Sequence, residues 1–436
     1  MESAPCLSLD DWLAYCERLH PAAIALGLDR VREVAQRLNV RLDCPVITVA
    51  GTNGKGSTCA MLECILRHAG YRTGLYTSPH LRHFTERLQI AGQPVDAIDW
   101  IAAFADVEGA RAGFGSEVAL TFFEFTTLAA LLVMQRAALD VAVLEVGLGG
   151  RLDAVNLIDA DCAIITSIAL DHVAWLGLDR EAIGREKAGI LRTGRPAVIS
   201  ESQPPASVLN HARDIGATLL RLGHEFHATA HGAHWQWRGL GTQSTDLPVP
   251  ALPGDHQLPN AAGVLAALTA LRDSLPVTTQ AVHTGLSEVR WPGRLQTLPG
   301  PPQVVLDVAH NPHAVQALAD YLRGLAPARR THLVLGAMAD KDLAGMVTLL
   351  QPLADAVYLC DLPLQRAAKA EDLRLVWMGG AEPGTAVLQT FADPATAYRA
   401  ACAAADPADR IVVCGSFLTV GGVLDAQDGA AIPRQP

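Results

Sequence analysis

The stretch from Pro45 to Leu66 constrains this chain more than any other. Pro45-Val46-Ile47-Thr48-Val49-Ala50 is short, apolar and β-branched, the pattern of a strand buried on both faces. It runs directly into Gly51-Thr52-Asn53-Gly54-Lys55-Gly56-Ser57-Thr58, after which Met61, Leu62, Ile65 and Leu66 fall at helical spacing. A strand, a glycine loop and a helix in immediate succession imply a parallel sheet with crossover helices, because only covering layers bury both faces of such a strand. The glycines let successive backbone N–H groups turn inward, the helix contributes its positive end, and Lys55 adds a mobile cation; together these make a phosphate-binding loop. The spacing departs from GxxxxGK[ST], since the first glycine stands nearer the lysine and Gly56 separates Lys55 from Ser57. The competing interpretation is a tight turn with no ligand.

Further apolar runs at 141–146, 162–168 and 197–199 read as strands, and 122–137 and 260–272 as helices between them. Leu9, Trp12, Leu13 and Cys16 form one helical stripe near the start, and Val31, Val34, Ala35 and Leu38 another. The stretch 224–253 lacks helical period and predicts strands and turns. Proline and glycine crowd 291–302, which marks a linker, and beyond it the runs at 303–318, 331–338, 356–361 and 410–416 alternate strand and helix again, with an alanine-rich helix near 395–405. The expected architecture is α/β: an N-terminal P-loop ATPase domain with a mainly parallel sheet over 1–296, and a smaller C-terminal Rossmann-like α/β domain over 297–436.

A length of 436 residues favours two domains, and an apolar half supplies their cores. The formal charge of −11 gives no general attraction for a polyanion, so nucleic acid is not an expected partner. No uninterrupted apolar run approaches the roughly 18 residues that span a bilayer, so no membrane is expected. The acidic start lacks the basic and apolar regions of a secretory signal. None of the nine cysteines forms a CxxC pair, and they read as small buried hydrophobes. The expectation is a monomer of the cytoplasm.

Three residues outside the loop draw attention. Glu145 ends an apolar strand in LEVGLGGRLDAVN, where open α/β sheets place ligands, and its hard oxygens suit Mg2+. A solvated strand-end glutamate is the alternative. His172, beside Asp171, follows another buried strand, and alone reads more readily as structural than as a ligand. Lys187 in GREKAGI reads equally as a solvated helix lysine.

Taken together, GTNGKGST, YTSPHL, ERLQI, LTFFEF, LEVGLGGRLDAVN, TSIALDHVAWLG, REKAGI, WPGRLQ, DVAHNP and VCGSF run in order from about residue 20 to 420. This set closely resembles the bacterial bifunctional dihydrofolate synthase/folylpolyglutamate synthases of the Mur ligase superfamily. The resemblance implies an ATP- and Mg2+-dependent amide ligase. Its substrates would be 7,8-dihydropteroate, reduced folates, L-glutamate and ATP, and phosphorylation would turn the acceptor carboxylate into an acyl phosphate for the glutamate amine to attack. It assigns Asn53, Gly54, Lys55, Gly56 and Ser57 to the phosphate loop, and Asn260, Arg294 and Asp307 to nucleotide contacts. It makes Ser78, Glu145 and His172 magnesium ligands. Lys187 matches a lysine that is carbamylated in the family, and Lys55, His172 and Lys187 would act in catalysis.

The resemblance also assigns a pterin site to Gly27, Leu28, Asp29 and Arg30, to Thr121, Phe122, Phe123 and Glu124, and to Asp153. One of Phe122 and Phe123 would be core and the other a flat wall beside the ring. Since Arg294 and Asp307 flank the linker, ATP is expected between the domains, whose closure would exclude water. His310 and His313 in DVAHNPHA are explained by the Asn-Pro turn rather than by a metal, and glutamate recognition is expected to involve the C-terminal domain. The alternatives are a monofunctional folylpolyglutamate synthase, a Mur-type ligase acting on a cell-wall nucleotide precursor, and a non-ligating nucleotide switch.

Overall fold

The computed structural model describes residues 7–22, 24–113, 115–380 and 387–430. Its largest sheet has eight strands in the order Gln93–Pro94, Leu88–Ile90, Thr73–Tyr76, Val141–Glu145, Val46–Ala50, Cys162–Ile165, Pro196–Ile199 and Thr218–Arg221. The last six are mutually parallel, and only the first two pair antiparallel at one edge. Alternate side chains point to opposite faces, as a strand's period of two requires. Ile47, Val49, Leu75, Val141, Val143 and Ile164 pack on one face against the helices Lys55–His68 and Gln257–Ala270. Tyr76, Ala142 and Leu144 pack on the other against Phe122–Arg136 and Ala97–Ala112.

The expected strands and helices appear within a few residues of their predicted bounds. The stretch 224–253 forms a three-stranded antiparallel sheet of Phe226–His231, His234–Gly239 and Thr242–Pro248. The six-stranded second sheet runs Gln296–Leu298, Gln303–Leu306, Arg410–Cys414, Thr331–Leu335, Ala356–Cys360 and Val387–Phe391, parallel except for its first pair. The linker-like 291–302 therefore contains a strand: Gln296–Leu298 pairs antiparallel with Gln303–Leu306, so the proline and glycine mark a hairpin turn. Among the described residues no helix is long and apolar enough to cross a membrane.

Thr121 starts the helix Phe122–Arg136 through a reciprocal capping box: its Oγ1 accepts from the Glu124 N–H at 3.2 Å, and Glu124 Oε2 accepts from the Thr121 N–H at 2.8 Å. One turn on, Phe125 is fully buried against Phe104, with ring centroids 5.5 Å apart, and against Trp12. Phe125→Ala is expected to cost about 3–5 kcal/mol through the cavity it opens. A fall in denaturant midpoint with unchanged slope would report it.

Candidate active site

The strands Val141–Glu145, Val46–Ala50 and Cys162–Ile165 are neighbours at the centre of the sheet, so the loops that leave their carboxyl ends lie side by side. The glycine loop takes the middle place. Gly54 is left-handed at φ 88° and caps the helix Lys55–His68. A Cβ there would stand 2.7 Å from Asn260 Oδ1, so only glycine lets the loop pass this close. The loop's Asn53 carbonyl accepts from Thr166 Oγ1 at 2.7 Å and Ser167 Oγ at 3.0 Å, which pins it to the neighbouring strand end. Lys55 Nζ donates to the Gly51 and Thr52 carbonyls at 3.1 and 3.2 Å. Gln257 Nε2 donates to Ser57 Oγ at 3.3 Å and its Oε1 accepts from Asn260 Nδ2 at 3.1 Å. Trp291 and Arg294 close over Gly56 from the far side.

Glu145 is buried, and its Oε2 accepts from the Ser78 N–H at 3.0 Å. Adjacency of Thr73–Tyr76 and Val141–Glu145 in the sheet brings these two residues together. Burial pushes the Glu145 carboxyl up from its ordinary value, against the stabilising charges of Lys55 and Arg294. This is a desolvated carboxyl within the electrostatic reach of two cations from distant parts of the chain. Burial likewise lowers the Arg294 guanidinium, which Asp307 and Glu145 oppose, and the guanidinium stacks 5.2 Å from the Phe417 ring centroid. Asp307 accepts from the Leu295 and Ala309 N–H groups, both at 2.8 Å. Arg294 and Asp307 thus stand where the second sheet meets the phosphate loop.

The third expected metal ligand lies differently. His172, left-handed at φ 51°, has its Nε2 3.2 Å from Lys341 Nζ, and its imidazole is lowered to about 4, chiefly by burial and then by that lysine. Among the described residues no group of three or more histidine, cysteine, aspartate and glutamate side chains is arranged to hold a metal. Glu145 nevertheless offers buried carboxylate oxygens and Ser78 a hydroxyl oxygen, hard donors that fit Mg2+.

Lys187 is not a solvated helix lysine. It is 3 % exposed in the helix Arg180–Ala188 and, among the described residues, forms no ion pair. Burial, then repulsion from Lys55, lowers its ammonium to about 7, against attraction from Asp171 and Asp153.

The pterin-site candidates divide. Arg30 Nη2 donates to Glu124 Oε1 at 3.0 Å and to the Ala25 carbonyl at 2.7 Å, which joins the first segment to the helix start at Thr121. Gly27 and Leu28 lead into the helix Asp29–Leu38 that carries Arg30. Asp29 does not join them; its carboxylate is exposed and pairs with Arg32 at 3.4 Å. Phe122 and Phe123 are both partly buried, and Phe125 occupies the core position expected of one of them. Phe122 meets Phe84 edge-on at 6.2 Å, with the Arg87 guanidinium 5.5 Å from its ring centroid; Phe123 lies against Tyr76 and Gly147. Asp153 is buried and raised to about 6 by desolvation, and accepts from the Leu148 and Val155 N–H groups at 2.8 and 3.0 Å.

Asn311 Oδ1 caps the helix Pro312–Gly324 by accepting from the Ala314 N–H at 2.9 Å, so the Asn-Pro turn accounts for the backbone there. The same side chain also pairs with Asn53, and His313 Nδ1 lies 2.8 Å from Asn53 Nδ2. Asn311, Trp291, Gln257 and Lys341 are site residues that pattern reasoning missed. Asn311 and Trp291 lie in quoted motifs and Gln257 and Lys341 outside them, and nothing in the spacing of any of the four shows which side chain faces the loop.

Two families match the chain: the Mur ligase middle domain over residues 49–268, and the Mur ligase glutamate ligase domain over 293–417. The chain is 44% identical over 421 residues to the dihydrofolate synthase/folylpolyglutamate synthase of Escherichia coli (strain K12), covering 96% of each protein. It is 35% identical to that of Mycobacterium tuberculosis, covering 86% of this chain and 85% of the relative. Among solved structures it resembles E. coli FolC in complex with DHPP and ADP, at a TM-score of 0.91 and 43% identity over 99% of this chain and 100% of that one. It also resembles a bifunctional folylpolyglutamate synthase/dihydrofolate synthase with Mn, AMPPNP and L-glutamate bound, at a TM-score of 0.88 and 43% identity, covering 97% of this chain and 98% of that one.

Proposed function

Because this chain belongs to the dihydrofolate synthase/folylpolyglutamate synthase family of Mur ligases, we propose that it joins L-glutamate to 7,8-dihydropteroate and adds further glutamates to reduced folates at the expense of ATP. The observation that carries this reading is the buried Glu145 carboxylate, faced by Lys55 of the phosphate loop and Arg294 from beside the second sheet. One point thus gathers the groups that a triphosphate and its metal need.

A carboxylate is a poor acyl donor. The acceptor's carboxylate oxygen attacks the γ-phosphorus, ADP leaves, and the resulting acyl phosphate is attacked at its acyl carbon by the glutamate amine. Phosphate then departs with one of the acceptor's oxygens. Lys55, the loop N–H groups and the start of the helix Lys55–His68 hold the phosphates and neutralise charge as it moves. Asn260, Arg294 and Asp307 hold the rest of the nucleotide. Ser78, Glu145 and His172 would hold Mg2+, which supplies Lewis-acid charge neutralisation at the phosphates. Arg30, Thr121, Glu124 and Asp153 orient the pterin, with Phe122 and Phe123 as apolar walls. The domains are taken to divide at residue 296, and ATP lies between them, where closure keeps water from the acyl phosphate. The enzyme is read as a monomer of the cytoplasm acting on small molecules; its eight described cysteines are all free, as a reducing compartment keeps them.

The test supplies purified enzyme with dihydropteroate or tetrahydrofolate, each labelled with heavy oxygen in its reacting carboxylate, plus ATP and glutamate. Label appearing in the released phosphate with both acceptors is the expected result. Unlabelled phosphate, or phosphate release that needs no acceptor, overturns the assignment.

The Lys187 amine, held near 7, is substantially neutral at physiological pH and so able to take up CO2. The carbamate would replace a buried cation by an anion, which nearby Lys55 favours. Lys187→Ala is expected to lower turnover by about a hundredfold, with partial rescue by added short carboxylates. Mass spectrometry under CO2 should find the adduct on wild type and increasingly as pH rises through 7.

A further inference from the structure

Asp171 holds no place in the assigned nucleotide, metal or pterin sites, yet its side chain meets residues from two loops of the second sheet. It leaves the large sheet on the loop after Cys162–Ile165. Three residues of the second sheet's strand-end loops converge on its two oxygens: Asn311 Nδ2 donates to Oδ2 at 3.0 Å, Lys341 Nζ donates to Oδ1 at 2.5 Å, and His310 Nε2 lies 3.6 Å from Oδ2. The side chains of Asp171 and Lys341 are only 8% and 6% exposed, so this is a desolvated pair rather than a surface contact.

The connections continue in both directions. The Asn311 amide that reaches Asp171 also donates to Asn53 Oδ1 at 3.1 Å and accepts from Asn53 Nδ2 at 3.2 Å, so one side chain ties Asp171 to the phosphate loop. Asp171 Oδ1 accepts from the His172 N–H at 2.8 Å, and Lys341 touches the His172 ring as well. We propose that Asp171 is a positioning residue that registers the C-terminal domain over the phosphate loop, through Asn311, His310 and Lys341. The geometry accounts for its carboxylate: its two oxygens accept from Asn311 and Lys341, donors on two different loops, at once, which an amide cannot do without turning an N–H toward a donor.

The kinetic arm of the test rests on the ligase reading; the structural arm does not. Spectroscopic labels are placed at exposed Asp273 and Asp372, one in each domain, and their distance is measured with AMPPNP and Mg2+ present. Asp171→Asn and Asp171→Ala are expected to broaden the distance distribution and to raise phosphate released per amide formed by about tenfold, because a displaced domain admits water. Lys341→Met combined with Asp171→Ala should be no worse than Asp171→Ala alone, since the two act through one contact. A distribution or a phosphate-to-amide ratio that matches wild type in either Asp171 variant overturns the proposal. A wild-type protein that forms no amide would instead sink the ligase reading, and the label distances would still judge Asp171.

Discussion

Replacing Lys55 by alanine should lower kcat/KM by on the order of 10³, about 4 kcal/mol of transition-state stabilisation, while leaving the fold intact. Two features make the loss large. The ammonium is the only side-chain cation in the loop itself, and the loop N–H groups that remain are partial charges. The ammonium is also held above the loop by the Gly51 and Thr52 carbonyls at 3.1 and 3.2 Å, so little ordering remains to be done when phosphate arrives. Folding should survive because those two bonds are to carbonyls at the loop's edge. The apolar face of the helix Lys55–His68, with Met61, Leu62 and Ile65 fully buried, is untouched. Steady-state kinetics with a melting curve separates the effects. Activity within tenfold of wild type would remove Lys55 from the phosphate site.

Glu145→Gln is expected to be nearly as damaging to turnover, also on the order of 10³, but with the opposite sign in stability. The glutamine keeps the shape and can still accept from the Ser78 N–H, but it no longer offers an anion to a metal. Its weakened grip on Mg2+ should show directly in a metal titration monitored by calorimetry. In the metal-free protein the wild-type carboxyl is raised above its ordinary 4.5 by burial, so its neutral form is the one the fold prefers. The stability it contributes is fully present below 4.5 and is lost as pH rises through the folded-state value. Removing the charge should therefore leave thermal stability at neutral pH unchanged or higher, and flatten its dependence on pH above 4.5. A destabilised variant with wild-type metal affinity would show that Glu145 serves the fold instead.

Much of this was legible in the chain itself, for a reason visible in particular residues. Ile47, Val49, Val143 and Ile164 are apolar, β-branched and bounded by glycine or polar turns, so a buried parallel strand is written into each run. The strand Val387–Phe391 and the helix Ala97–Ala112 were not foreseen. The first is an edge strand with largely exposed side chains, and the second mixes charge into its stripe. Gln296–Leu298 was hidden among prolines and glycines that read as linker, because a short hairpin and a linker share their composition. Phe122, Phe123 and Phe125 show the limit of periodicity: three aromatics in four positions of one helix are alike in sequence, and only the packing of Phe104 and Trp12 makes the third the core residue.

From the amino-acid order alone follow the strand, glycine loop and helix, the two α/β units, and the assembly of motifs that identifies a ligase, since each depends on residues close together in the chain. The three-dimensional arrangement alone decides that the Glu145 carboxyl is desolvated within reach of the charges of Lys55 and Arg294, that Lys187 is buried, and that Asp29 faces water. It also decides that Asp171 and Asn53 are held by Lys341 and Asn311, partners 170 and 258 positions away. Local pattern reflects the backbone's two periods of hydrophobic burial, whereas desolvation and charge pairing depend on whatever the fold brings within a few ångströms, at any separation along the chain.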